Sequence, residues 1–160
     1  MNPNYVHIHL IAVTELLIPE LPCMCASLRR AARTVSQLYD DALRPLGLRA
    51  TQFTLLQALS LSGELTQGEL GRMLALDSTT LTRTLENMTK NGWIVKRRGE
   101  DRREWHIRLS DAGKAELKRA LPLWRKVQRE MRTRLGDAAW QDLLKLTNKA
   151  TESGRRTEDL

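Results

Sequence analysis

The stretch that decides the fold runs from Leu76 to Lys114 and reads "LDSTTLTRTLENMTKNGWIVKRRGEDRREWHIRLSDAGK". Three apolar residues in its first part recur at helical spacing: Leu81, Leu85 and Met88. This spacing predicts an amphipathic helix. Asp77 or Ser78 can cap its start, because a short side-chain oxygen accepts a hydrogen bond from a free backbone N–H. Asn91-Gly92 predicts its end.

The period then changes from helical to alternating. Trp93–Val95 and Trp105–Leu109 are typical of two short strands joined by the charged turn "RRGEDRR". Ser110 or Asp111 can cap a further helix. The stretch as a whole therefore predicts a helix, a β-hairpin and a second helix.

Two shorter helices are predicted before this stretch. Thr51 is a candidate cap for "TQFTLLQALSLSG", which Gly63 ends. Thr66 and Glu69 have the spacing of a capping box, which starts a helix that continues to about Leu74. The order helix, helix, turn, helix, hairpin predicts a winged helix-turn-helix lobe in a mainly α chain with a small β-hairpin.

Long helical patterns flank this lobe on both sides. One begins at Pro22 and is ended by Pro45 and Gly47. The other runs from Ser110 to Leu135, with one apolar stripe: Leu117, Leu121, Trp124, Val127, Met131 and Leu135. A last helix carries Trp140, Leu143, Leu144 and Thr147. A stripe of this length predicts burial against a second copy of the chain. The alternative is an ordinary core within one chain.

Composition narrows the class of protein. The 160 residues carry 26 Lys and Arg against 19 Asp and Glu, a net charge of +7 that favours a polyanionic partner. No Gly-rich phosphate loop, G-x-S-x-G or H-E-x-x-H pattern occurs, so we expect neither enzymatic activity nor a cofactor. The poor signal peptide, the lack of a long apolar run and the two cysteines lead us to expect a soluble cytoplasmic protein without membrane contact.

The candidate DNA-contacting residues fall into two groups. In a helix-turn-helix the N-terminal residues of the second helix reach base edges in the major groove. Here that helix provides short hydroxyls and one arginine: Ser78, Thr79, Thr80, Thr82 and Arg83. Arg83 is suited to grip a guanine with two hydrogen bonds. The alternative for this group is a helix cap followed by a polar face.

The second group is the set of arginines in the hairpin turn: Arg97, Arg98, Arg102 and Arg103. Arginines at the tip of a ribbon suit the minor groove, where narrow tracts concentrate negative potential. Asp101 is placed to hold the guanidinium of Arg103. The alternative is a solvated charged turn.

With these motifs, the chain resembles the MarR family of bacterial transcriptional regulators over about residues 23–150. The stretch from Leu76 to Lys114 carries the resemblance, with its Asp-x-Arg wing pattern and the following "LSDAG". The resemblance implies a homodimer whose first and last two helices interleave. It also implies repression of nearby genes and release from DNA by a small molecule or an oxidant.

The predicted organisation has four parts. Residues 1–21 form an N-terminal arm or an extra helix, and residues 153–160 a frayed tail. Residues 22–50 and 111–152 form the helical dimerisation lobe. Residues 51–110 form the winged DNA-binding lobe.

The stretch "LPCMCASLRRAAR" holds both cysteines, Cys23 and Cys25. Residues two apart on a helix point in different directions, which disfavours a disulfide. A zinc site could use these thiols with His7 and His9, although the spacing does not match the usual clips. A sensor thiol is favoured by the electropositive first turn of a helix and by Arg29 four residues after Cys25. The fourth possibility is a pair of small buried residues.

Within the MarR family this stretch is similar to the organic-hydroperoxide-sensing branch. Cys25 stands where that branch has its reactive cysteine, eight residues before Arg33, and Tyr39 matches a tyrosine that bonds the thiolate. The sequence departs from the branch at Arg29, which replaces a second tyrosine, and at Cys23, which is additional.

The sequence therefore predicts a homodimeric regulator that binds double-stranded DNA at a pseudo-palindromic operator and is released by oxidation or by a small ligand. The alternative is a helical protein-interaction module whose basic face serves solubility. The two hypotheses differ in salt-dependent binding to promoter DNA.

Overall fold

The computed structural model describes residues 23–101 and 104–154. It divides into two units, one that ends at Thr34 and one that begins at Val35. The predicted arm at residues 1–21 lies outside the described residues, as do residues 155–160. No helix among the described residues is both long enough and apolar enough to cross a membrane.

Helices dominate the described chain. In order, the elements are α1 Met24–Leu43, a short 3-10 turn Arg44–Leu46, α2 Ala50–Ser62, β1 Leu65–Thr66, α3 Gln67–Leu74, α4 Ser78–Lys90, β2 Ile94–Arg98, β3 Trp105–Leu109, α5 Asp111–Leu135 and α6 Asp137–Gly154. The predicted fold class, mainly helical with a winged helix-turn-helix, is confirmed. α6 continues to Gly154, two residues past the boundary predicted for the helical lobe, and the tail itself stays a prediction.

The small sheet has three strands, not the two that were predicted. β3 lies in the middle and pairs antiparallel with β1 and with β2. β1 has two residues, with Leu65 opposite Ile107, and is too short to show any alternation in the sequence. β2 is longer than the predicted strand, so Arg97 and Arg98 lie in the ladder opposite His106 and Trp105. Their placement in the turn was therefore wrong.

The core lies between α2, α4, α5 and the sheet. Leu81, Leu85 and Met88 are fully buried, which confirms the predicted apolar face of α4. They join a cluster with Phe53, Leu55, Leu56, Leu59, Leu70, Ile94 and Ile107. Burial of each large apolar side chain contributes roughly 1.5–3 kcal/mol. The core fixes the angle at which α4 is held.

Caps set the starts of the helices. The predicted capping box is present, because Thr66 Oγ1 accepts from the Glu69 N–H at 3.1 Å and Glu69 Oε2 accepts from the Thr66 N–H at 2.7 Å. The predicted cap Thr51 is wrong. α2 begins at Ala50, whose N–H donates to Asp40 Oδ1 at 2.7 Å. This cap comes from α1, ten residues away, which local spacing does not indicate.

The two C-terminal helices differ in burial. α5 buries Leu117, Ala120 and Val127, whereas α6 has no buried residue in this chain. Trp124, predicted for a seam between subunits, packs within the chain with its ring centroid 5.8 Å from that of Phe53.

Candidate nucleic-acid interface

The N-terminal turns of α4 present polar side chains to solvent. Asp77 caps this helix, and its Oδ1 accepts from the Thr80 N–H at 2.8 Å. Ser78, Thr79 and Arg83 are exposed. Their side chains make no hydrogen bond within residues 23–101 and 104–154. The structure therefore leaves these three groups available to an external partner.

The hydroxyls of Thr80 and Thr82 are engaged within the protein. Thr80 Oγ1 donates to Asp77 Oδ2 at 2.6 Å, and these bonds hold the pKa of the Asp77 carboxyl below its usual range. Thr82 Oγ1 accepts from Gln67 Nε2 at 2.9 Å. Gln67 is the first residue of α3 and was not among the predicted site residues. A contact across fifteen positions leaves no local signal in the sequence.

A close approach of α3 and α4 sets this geometry. A Cβ at Gly71 would lie 3.3 Å from Leu81 Cδ2 and 3.5 Å from the Leu76 carbonyl oxygen. The turn between the helices places Ala75 at a left-handed φ of 50°. The helix-turn-helix is thus tight enough for a side chain of α3 to reach α4.

The arginines predicted for the wing, which is the hairpin of β2 and β3, have different environments. Arg97 pairs with Glu64 through two contacts, Nη2 to Oε1 and Nε to Oε2, the second at 3.1 Å. This pair lowers the pKa of Glu64 and raises that of Arg97. His106 Nδ1 lies 3.4 Å from the same carboxylate. Arg97 therefore anchors β2 to the segment before β1, and its charge is largely compensated.

Arg98 lies on the other face of the ribbon. Its guanidinium carbon is 5.0 Å from the centroid of the Trp105 ring, and Lys96 Nζ is 5.2 Å from the same centroid. Both distances are within the range of cation–π contacts. Lys96 and Trp105 were not predicted as site residues.

Asp101 is described and exposed, but Arg102 and Arg103 lie outside the described residues, so the Asp101–Arg103 contact stays a prediction.

The base of the wing is joined to α5. Ser110 Oγ donates to the Gly92 carbonyl at 2.5 Å and accepts from the Gly113 N–H at 2.9 Å. The Ser110 N–H donates to the Trp93 carbonyl at 3.0 Å. One residue, the predicted cap of α5, thus connects the end of α4, the start of β2 and the start of α5. We call this group of contacts the Ser110 joint.

Polar contacts also link the later part of α1 to α4 through α2. Asp40 pairs with Arg49 at 3.0 Å, in addition to capping Ala50. Buried Gln52 donates to Asn87 Oδ1 of α4 at 2.6 Å. The orientation of α4 is therefore tied to α2, and α2 to α1.

A cleft of about 280 Å³ lies between the later part of α1, α2 and α5. Tyr39, Phe53, Trp124 and Gln128 are among its lining residues. The Tyr39 hydroxyl accepts from Gln128 Nε2 at 2.8 Å, and burial raises the pKa of Tyr39. An aromatic wall with a few polar groups is typical of small-molecule sites.

The two cysteines lie at the start of α1. Both are free and exposed in this chain, with Cys23 before the helix and Cys25 at its second position. Arg29 is also exposed. Cys25 and Tyr39 belong to different units, and their predicted pairing stays a prediction. The described residues hold no cluster of His, Cys, Asp or Glu suited to a metal, and His7 and His9 lie outside them.

A tight pair of helices, an exposed hydroxyl-rich start of the second helix and a cationic hairpin define a winged helix-turn-helix protein. The MarR family sequence pattern matches residues 46–104. The chain is 41% identical to the M. tuberculosis transcriptional regulator MosR, solved in complex with DNA. The two structures match with a TM-score of 0.72, and the match covers 83% of this chain and 99% of that one. The protein belongs to the MarR family.

Curated relatives match over a shorter span. An uncharacterised HTH-type regulator of Bacillus subtilis, YwoH, is 35% identical over 77 residues, which is 48% of this chain and 56% of its own. The multiple antibiotic resistance protein MarR of Salmonella typhimurium is 34% identical over 80 residues, 49% of this chain and 56% of its own. The chain thus spans little more than half the length of these relatives.

Proposed function

We propose that the protein is a sequence-specific DNA-binding transcriptional regulator with α4 as its recognition helix. The observation that carries this proposal is the exposed start of α4, where Ser78, Thr79 and Arg83 have no partner among the described residues. The guanidinium of Arg83 can donate to the O6 and N7 acceptors of a guanine, and the neighbouring hydroxyls can donate to nearby phosphates. The similarity to MosR, solved with DNA, supports the same conclusion.

The wing is proposed as a second DNA contact. Lys96 and Arg98 both lie over the Trp105 ring, whereas Arg97 is paired with Glu64. The net charge of +7 adds a sequence-independent attraction to phosphate. We assign Arg97 a supporting role and place the phosphate contacts on the other cations of the hairpin, Arg102 and Arg103 among them.

A homodimer is proposed as the active form. α6 exposes Leu143, Leu144 and Leu146, and Leu135 at the end of α5 is also exposed. Large apolar side chains in such number are normally covered by a partner. Two-fold symmetry then implies a pseudo-palindromic operator with half-sites about one helical turn apart. Binding there would repress transcription by occupying the promoter.

Replacing Arg83 by alanine should weaken operator binding about 10- to 100-fold, because a bidentate contact to guanine is worth roughly 1–3 kcal/mol. Fluorescence anisotropy with a labelled operator measures the change. Arg125→Ala removes an equal charge from the exposed face of α5 and should change affinity little. Equal affinities for Arg83→Ala and wild type would remove Arg83 from recognition. Absence of binding to any promoter DNA at low salt would favour the protein-interaction module.

Two signals are proposed for release from DNA. Oxidation at Cys25 is supported by the exposure of its thiol at the start of α1. A small aromatic or phenolic ligand is supported by the cleft at Tyr39, Phe53 and Trp124. The contacts of Asp40 with α2, and of α2 with α4, give such a ligand a physical route to the recognition helix.

One experiment separates the two signals. Operator release is measured with cumene hydroperoxide and, separately, with salicylate as a phenolic probe. Cys25→Ser should lose the response to the peroxide alone, since serine cannot be oxidised in this way. Thr54→Leu, which narrows the cleft, should lose the response to salicylate alone. If both variants respond to both compounds like wild type, neither site carries the signal.

A further inference from the structure

We infer that Gln67 positions Thr82 so that the threonine hydroxyl donates its proton to a purine N7 in the major groove. This inference rests on the proposed function. It makes Gln67, on the first helix of the helix-turn-helix, a positioning residue for base readout. The contact between Gln67 Nε2 and Thr82 Oγ1, at 2.9 Å across two helices, is the observation behind it.

Thr82 differs from the other bonded threonines of α4. Thr84 and Thr89 donate their hydroxyl protons back to the carbonyls of Thr80 and Leu85, each at 2.8 Å. Thr80 donates its proton to the Asp77 carboxylate. These three hydroxyls are engaged as donors within the protein. Thr82 is engaged as an acceptor.

A hydroxyl has one proton to donate and two lone pairs to accept. Since the Gln67 amide occupies a lone pair of Thr82 Oγ1, the proton must point elsewhere. No acceptor for it occurs within the described part of the chain. Thr82 is half-buried at the exposed end of α4, so a group that approaches this end from outside meets a hydroxyl already oriented as a donor.

Gln67 also restricts the rotamer of Thr82. A threonine in a helix divides its population between two χ1 states, because its hydroxyl can bond the preceding turn. The amide of Gln67 favours the state that faces α3. The side chain is therefore fixed before DNA arrives, which lowers the entropy lost on binding.

A fixed donor distinguishes bases by their acceptors. Adenine and guanine both present N7 in the major groove, whereas the exposed amino group of cytosine is itself a donor. A donor at Thr82 thus selects a purine over cytosine at one position in each half-site. The close approach of α3 and α4 at Gly71 holds Gln67 within reach of Thr82 throughout.

The test uses operators in which each purine in turn is replaced by its 7-deaza analogue, which lacks the N7 acceptor. For wild type, one position per half-site should show an affinity loss of about tenfold, in the range of a single lost base contact. Thr82→Val keeps the shape of the side chain without the hydroxyl, so its affinity should not fall when that purine is replaced by the 7-deaza analogue. Thr82→Ser, which has a hydroxyl, should again show the affinity loss.

Gln67→Glu tests the role of the amide. A carboxylate only accepts, so it draws the Thr82 proton toward itself and removes the donor from the DNA side. The 7-deaza penalty at that position should then disappear. Gln57→Glu, which adds the same charge to α2 at a half-buried position, should retain it. The penalty is the ratio of one variant's affinities for the natural and the 7-deaza operator. Repulsion between the added carboxylate and the DNA phosphates weakens both affinities equally and does not change this ratio.

The outcomes separate this inference from the proposed function. If wild type binds an operator specifically but Thr82→Val and Gln67→Glu keep the full penalty at every purine, the inference is overturned and the function stands. If wild type shows no specific DNA binding at low salt, the proposed function fails first.

Discussion

Replacing Gly113 by alanine is expected to destabilise the protein by more than about 3 kcal/mol, beyond the usual range for an added methyl group in a packed site. A Cβ at this position would lie 2.0 Å from the carbonyl oxygen of Trp93 and 2.9 Å from its carbonyl carbon. That carbonyl cannot turn away freely, because it accepts from the Ser110 N–H at 3.0 Å. The clash is with backbone, so no side-chain rotation relieves it. Urea unfolding followed by circular dichroism measures the loss.

Gly68→Ala is the matched control. The nearest atom to a Cβ there is Arg72 Nη1, at 4.0 Å. Gly68 lies in α3, and alanine is favoured over glycine within a helix by up to about 1 kcal/mol. The urea midpoint of Gly68→Ala should therefore equal or exceed that of wild type. A Gly113→Ala protein as stable as wild type would show that the start of α5 can shift away from Trp93.

The second large effect is expected from the double change Leu143→Glu and Leu146→Glu. Two charges on the exposed apolar side of α6 would have to be desolvated in a subunit interface, which costs several kcal/mol per ion. We expect a monomer by light scattering coupled to size-exclusion chromatography. We also expect operator affinity to fall more than about 100-fold, because a monomer binds one half-site without the gain from a linked second site.

The control places the same two charges at polar positions of α6 that lie far around the helix from Leu143 and Leu146. Gln141 and Asn148 are exposed and lie about 140–160° around the helix from both Leu143 and Leu146, at 100° per residue. They lie about 40–60° from Leu144, so the control tests an interface centred on Leu143 and Leu146. Gln141→Glu with Asn148→Glu should stay dimeric and bind the operator with affinity close to wild type. A leucine double variant that remains a dimer would place the subunit interface elsewhere.

The features that the sequence predicted well are local ones. The apolar face at Leu81, Leu85 and Met88 follows from helical spacing within a single element. The capping box of Thr66 and Glu69 spans three residues, and its chemistry can be recognised without knowledge of the fold. The family resemblance had the same origin, because its motifs form one continuous stretch.

The features that were missed involve residues distant in sequence. Asp40 caps α2 from α1, and Glu64 pairs with Arg97 of β2. Neither contact has a local pattern, and each depends on how the helices and strands pack. The missed bond from Gln67 to Thr82 belongs to the same class. At the candidate site, sequence thus identified exposed groups such as Arg83 but could not identify which hydroxyls were already occupied.

The Ser110 joint has a mechanical consequence. Because Ser110 bonds the carbonyls of Gly92, after α4, and Trp93, before β2, we expect α4, the hairpin and the start of α5 to move as one unit. α5 has 25 residues and is about 37 Å long at 1.5 Å per residue. A rotation of roughly 10° about its far end would carry the joint through about 6 Å. If a dimer interface holds the far end of α5, a small tilt of this helix would change the spacing of the two DNA-binding lobes. That spacing would then no longer match the pitch of the double helix.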